Sequence, residues 1–200
     1  MPLVTVLQGN IHPASDGFLW WKKDRPAGLP SAAAVINKVA AEYGIVPVER
    51  CVDLLASDLP LIVGTPETDP LPATAGVTYI GPIVWQRGNA TLPDWVAALG
   101  RDKPVIWVYS GNPRYGSAPT PIDSIVVIRA AITALGDAPV LVVLTTGYQD
   151  VPEEFGTLPS NFHHAAYLPG RAMAERCDLM VHHGGHSSVM TSLRYWPPEP

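Results

Sequence analysis

Along the chain, short apolar runs rich in β-branched residues alternate with longer amphipathic stretches, joined by glycine- and proline-containing turns. Leu3 to Leu7 reads as a strand that exits through Gln8-Gly9-Asn10-Ile11-His12-Pro13. Val35, Ile36, Val39 and Ala40 then recur at helical spacing, with Ser31 as N-cap and Gly44 as stop. Asp53 to Ala56 fits a short helix, and Leu61 to Val63 and Val77 to Ile80 fit two strands around a proline-rich loop. The breaker-rich stretch Gly81 to Thr91 has no sustained period and reads as a linker. Leu92 to Leu99 follows as a short amphipathic helix with Trp95 as a packing residue, and Pro104 to Tyr109 as an apolar strand ending in Ser110-Gly111-Asn112-Pro113. Thr120-Pro121-Ile122-Asp123 puts a hydroxyl at the N-cap, proline at the first helical position and an acid in the first turn. Ile125, Ile128, Ile132 and Leu135 continue that helix to Gly136, so it presents one apolar face. Pro139 to Leu144, His163 to Tyr167 and Leu179 to Val181 complete the set of predicted strands.

Strands alternating with helices predict an α/β chain with parallel sheets whose ligand crevice lies at the carboxyl ends of the strands. Ser110 and Gly111, Thr145 and Thr146, Tyr167, and His183 all fall at such ends. The most informative end is Leu179-Met180-Val181-His182-His183-Gly184-Gly185-His186-Ser187-Ser188, which predicts strand, tight turn and helix start, with Ser187 or Ser188 as cap. Free N–H groups and the positive end of a helix dipole converge there, so a phosphate or diphosphate is the natural guest. A Gly-Gly turn alone can also serve only to turn the chain.

Composition removes other classes. The 200 residues are 47% hydrophobic, enough for one sizeable core or two small ones. The net charge is −5 and no basic cluster exceeds Lys22-Lys23, so the electrostatic footprint of a nucleic-acid binder is absent. No apolar run approaches the roughly 18 residues of a membrane span, and Met1-Pro2-Leu3-Val4-Thr5-Val6 lacks a signal peptide's basic flank, which makes the cytoplasm the expected compartment. Cys51 and Cys177 stand in no CxxC spacing and read as reduced packing residues.

Tyr167-Leu168-Pro169-Gly170, the short helical piece Arg171 to Arg176, Cys177-Asp178 and the His183 turn together resemble the nucleotide-sugar signature of the GT-B glycosyltransferases that use UDP- or TDP-sugars. The resemblance implies a GT-B-like fold built from parts of two Rossmann-like, doubly wound parallel sheets. Residues 1–83 would be the closing part of an acceptor-binding N-terminal domain, 84–92 the linker, and 93–200 the first half of a nucleotide-sugar-binding C-terminal domain. It implies donor-binding roles for Ser110, Gly111, Thr145, Thr146, Tyr167, His183, Gly184, Gly185, Ser187 and Ser188, with Tyr167 stacking on the base and the His183 turn holding the diphosphate. Three features depart from the family pattern: Gly170 stands where plant members have Gln, Thr191 where many members have a ribose-binding Glu, and Arg194-Tyr195-Trp196-Pro197-Pro198-Glu199-Pro200 where the family's helix runs on. The family's catalytic His and its sugar-gripping Asp/Glu-Gln pair have no counterpart among these residues, so the expectation is an internal fragment with no assignable catalytic residue. The implied parent reaction is metal-independent, inverting transfer of a hexose from UDP- or TDP-sugar to a small-molecule hydroxyl. The alternative is a non-catalytic remnant that keeps a nucleotide-diphosphate site, and exposed sheet edges would favour self-association.

Other residues of the chain admit competing readings. His182, His183 and His186 invite a metal reading, yet adjacent residues at a strand end point to opposite faces, and an anion-binding role for His183 with His182 packed on the neighbouring helix is preferred. His12 is a turn or acceptor-lining residue in preference to a general base, since no carboxylate is visible to orient it. Trp20 and Trp21 read as packing in preference to an acceptor cleft, and Asp178 as a cap in preference to a catalytic acid.

Overall fold

The computed structural model describes residues 2–15, 32–85, 88, 90–111 and 124–195. The cap at Ser31, the pair Trp20 and Trp21, the helix start Thr120 to Asp123 and the terminal segment from Trp196 lie outside the described residues. The chain divides into two compact units, Met1–Ile83 and Val84–Pro200, so residues 84–92 cluster with the second unit.

The first unit contains a parallel sheet of β1 (Val4–Leu7), β2 (Leu59–Ile62) and β3 (Thr78–Tyr79), in that order. Helix α1 (Ala32–Glu42) ends as its sequence predicts: Gly44 takes φ +64°, and the Ile45 N–H reaches back to the Ala40 carbonyl. Cys51–Leu55 forms a 3₁₀ turn where a short helix was expected. Beyond β1 and β2, Gly9 and Gly64 both pack against Asp69, whose side chain takes the space a Cβ would need at either position. His12 is buried, and its Nδ1 accepts the Ala14 N–H at 3.1 Å, so it serves the turn.

The second unit is built on β4 (Val105–Tyr109), β5 (Leu141–Thr145), β6 (Phe162–Ala165) and β7 (Leu179–His182), parallel and ordered β6-β5-β4-β7. Both faces are covered at the centre of the sheet, which is why β4 and β5 read as near-continuous apolar runs. Ile106 and Val108 point to one side, where Ile128 and Ala131 of α3 (Ser124–Leu135) meet Val142, Leu144 and Phe162. Val105 and Trp107 point to the other, against Val96 of α2 (Asp94–Ala97) and Met173 and Ala174 of α4 (Gly170–Ala174), with Val143 and Leu168. Asp178 ties the starts of two strands together, its carboxylate accepting the Val105 N–H at 2.7 Å. The last helix, α5, runs from His186 to Tyr195.

Strand order decides where a ligand could enter. The chain leaves β4 toward β5 and β6 on one side, then crosses to place β7 on the other. Reversal of direction opens a crevice between β4 and β7 at their carboxyl ends.

Candidate functional site

At that switch point, Ser110-Gly111 leaves β4 beside His183-Gly184-Gly185 leaving β7. The His183 ring lies between two glycines. A Cβ at Gly111 would come within 3.1 Å of Nδ1, and one at Gly185 would come within 2.5 Å of Nε2. Gly111 also adopts φ +95°, a conformation that side chains with a Cβ resist. Tyr109 completes the seat, edge-on to the His183 ring at 5.4 Å between centroids. Nδ1 of His183 is buried without a hydrogen-bond partner among the described residues, an exception that calls for a functional explanation.

The two adjacent histidines do diverge. His182 turns back onto its own connection, accepting the Gly184 N–H at 3.1 Å and meeting the Ser192 hydroxyl of α5 at 3.5 Å. Burial and the neighbouring His183 hold its pKa below the ordinary histidine value. Among the described residues, no group of three His, Cys, Asp or Glu side chains is arranged to hold a metal ion.

Helix α5 begins at His186, two residues earlier than a Ser187 cap would place it and three earlier than a Ser188 cap. Gly185 takes the cap position, its carbonyl accepting the N–H groups of Ser188 and Val189, so Ser187 and Ser188 lie within the first turn. A glycine is needed there because any Cβ would strike His183. No acidic residue occupies the first turn, which leaves the positive end of the helix uncompensated.

Beside this turn, on the Trp107 face of the sheet, lies a half-open cavity of ≈ 190 Å³. Trp107, Tyr109 and Met180 line its floor, Gly147, Tyr148, Tyr167 and Leu168 one side, and Gly170, Ser187, Ser188 and Thr191 the side toward the helices. Trp107 is fixed by its indole N–H, which donates to the Thr145 hydroxyl at 2.9 Å. Thr191 donates to the Ser187 carbonyl at 2.8 Å.

The ten residues singled out in the sequence therefore separate into three groups. Thr145, Tyr167, Ser187 and Ser188 line the cavity. Gly111, His183, Gly184 and Gly185 form the turn next to it. Ser110 and Thr146 are buried at 1% and 2% exposure with hydroxyls engaged inside the protein, Ser110 on the Thr145 carbonyl and Thr146 on the Gln149 carbonyl and the His164 ring. Neither lines the cavity, because a hydroxyl at a central strand end is drawn to nearby carbonyls once the apolar layers close around it.

Sequence reasoning missed Trp107, Tyr109, Tyr148 and Met180. Period-two alternation along β4 and β7 puts Trp107, Tyr109 and Met180 on one face, a signal that was available. Tyr148 carried no signal. It has φ +71°, alone among the described non-glycine residues in being positive, and stacks on Tyr167 with centroids 4.6 Å apart and planes 8° apart.

No protein-family model matches the chain. In sequence it is similar to the PGL/p-HBAD biosynthesis rhamnosyltransferase of Mycobacterium bovis (strain BCG / Pasteur 1173P2), 26% identical over 197 residues that cover 96% of this chain and 40% of the relative. It is also similar to a PGL/p-HBAD biosynthesis glycosyltransferase of Mycobacterium tuberculosis (strain ATCC 25177 / H37Ra), 28% identical over 189 residues, 92% of this chain and 40% of that one. The chain thus spans about 40% of the length of the curated relatives it matches. Among solved structures, the calicheamicin glycosyltransferase CalG4 superposes with a TM-score of 0.61 at 22% identity, over 97% of this chain and 47% of that one. The fold, two units with parallel sheets, is that of the GT-B glycosyltransferases, and the sequence relatives are glycosyltransferases.

Proposed function

We propose that this chain carries the nucleotide-sugar-binding elements of a glycosyltransferase that moves a hexose from a UDP- or TDP-sugar to the hydroxyl of a small acceptor. The observation that carries the reading is the His183 ring, wedged between Gly111 and Gly185 at the uncompensated start of α5 and beside an aromatic-lined cavity. A diphosphate at the turn would meet the first-turn N–H groups, the helix dipole and the hydroxyls of Ser187 and Ser188. The pyrimidine would lie in the cavity against Tyr167.

In the proposed reaction the acceptor oxygen attacks the anomeric carbon with inversion, the bond from that carbon to the diphosphate breaks, and the acceptor's proton passes to a general base. The His183 turn acts on the departing diphosphate, where preorganised donors stabilise the charge that develops. The base is assigned to no residue of this chain. No metal or other cofactor is required, because the turn supplies donors in place of a bridging cation. Rhamnose, the sugar in one relative's name, is the first donor to try. A cytoplasmic location is proposed with it; no described helix is long and apolar enough to cross a membrane.

Calorimetric titration of UDP and TDP tests the reading. Binding is expected in the presence of EDTA, and His183→Ala should weaken it by about 1.5–3 kcal/mol, the worth of a charge-assisted contact. Loss of binding on chelation, restored by zinc or magnesium, would reassign the histidines to a metal.

A further inference from the structure

Tyr148 is placed against the energetic preference of its own backbone. Gly147 and Tyr148 take φ values of +63° and +71° in succession, and for tyrosine that left-handed conformation is strained. The loop nevertheless holds it there, with the Tyr148 N–H donating to the Ala166 carbonyl at 2.7 Å. This hydrogen bond joins the exit of β5 to the residue before Tyr167 and brings the two rings face to face, 4.6 Å between centroids. Both residues are about half exposed, 57% for Tyr148 and 51% for Tyr167, and both border the cavity. Such a stack covers one face of Tyr167 and leaves the other for a flat ligand. The separation also leaves no room for a third ring between the two.

We infer that Tyr148 is a positioning residue for the base of the nucleotide: it fixes the plane of Tyr167 so that a pyrimidine completes a three-layer stack. The inference rests on the nucleotide-binding reading given above. Tyr148 acts through Tyr167 and contributes nothing to the diphosphate, whose seat lies at the His183 turn.

Two variants separate ring from backbone. Tyr148→Gly removes the ring while easing the positive φ, and Tyr148→Phe keeps the ring without its hydroxyl. UDP and inorganic pyrophosphate are titrated against the 200-residue chain and both variants, pyrophosphate by competition where its own heat is small. Tyr148→Gly should weaken UDP about two- to tenfold, the range for loss of one aromatic pair, and leave pyrophosphate unchanged. Tyr148→Phe should retain UDP affinity within about twofold. An unchanged UDP affinity in Tyr148→Gly, an equal loss of UDP and pyrophosphate, or an equal loss in both variants would overturn the inference. If the unaltered chain bound pyrophosphate but not UDP, the inference would fall while the diphosphate turn stood; if it bound neither, both would fall.

Discussion

Gly185→Ala isolates the packing on which the His183 turn depends. The added Cβ would sit 2.5 Å from Nε2 and 3.0 Å from Cε1 of His183, distances that cannot be kept. Gly111 stands on the other side, where a Cβ would lie within 3.1–3.4 Å of the ring, so the imidazole has little clearance in that direction. Overpacking of this kind costs about 1–3 kcal/mol, and for a chain of this size each kcal/mol lowers Tm by about 2–4 °C. The backbone at Gly185 is not left-handed, so alanine itself should be tolerated once the ring is gone. In a His183→Ala background, Gly185→Ala is therefore expected to be neutral or slightly stabilising. Urea and thermal unfolding of wild type, both single variants and the double variant give a coupling energy, expected at about 1 kcal/mol or more. Equal losses in the two backgrounds would refute the wedge and remove the physical reason for glycine at this position.

Three further outcomes can be checked with the same material. Burial lowers the pKa of His164 and of His182, with His183 adding to the effect at His182, so both are neutral in the folded state at pH values where an unfolded histidine, with pKa about 6.5, begins to take up protons. Their contribution is complete above pH of about 6.5 and is lost as pH falls toward the lowered values; unfolding curves should show declining stability below that point, flattened by His164→Gln with His182→Gln, and a flat wild-type profile would contradict the assignment. Burial pushes the Cys177 thiol up to about 11, so in a Cys51→Ser background it should resist a disulfide reagent at pH 8 until the protein unfolds, and rapid reaction of the native protein would count against its packing role. Val4 and Val6 are 51% and 57% exposed on β1, which stands at the edge of its sheet among the described strands; self-association that rises with concentration and is suppressed by Val6→Lys is expected in light scattering, and an unchanged mass in that variant would place the contact elsewhere.

The element pattern was legible because the strands are short runs rich in apolar residues, with β4 and β5 buried almost throughout, and because α1 and α3 each stop at a glycine. Boundaries moved where side-chain patterns say little. The strand expected to begin at Leu61 starts at Leu59, because Leu59 and Pro60 pair in register with Val4 and Thr5 of β1, and register comes from the partner strand. The turn after β7 was legible in kind but not in detail: its glycines and serines announce an anion-friendly helix start, yet only packing shows that Gly185 caps α5 because His183 occupies the space above it. Ser110 and Thr146 stand at strand ends that match the family's donor-side loops, and position along the chain does not show the carbonyls that engage their hydroxyls in the fold. Tyr148 was invisible for a similar reason, since its placement follows from a left-handed backbone and a partner ring nineteen residues away.

The central claim is that a nucleotide diphosphate sits at the β4–β7 switch point, and a crystal structure of the chain soaked with UDP tests it most directly. The account predicts the diphosphate at the start of α5 within hydrogen-bond distance of His183 or the hydroxyls of Ser187 and Ser188, with the uracil stacked on the free face of Tyr167. UDP bound at another place in the second unit, or with its diphosphate directed away from the His183 turn, would contradict it.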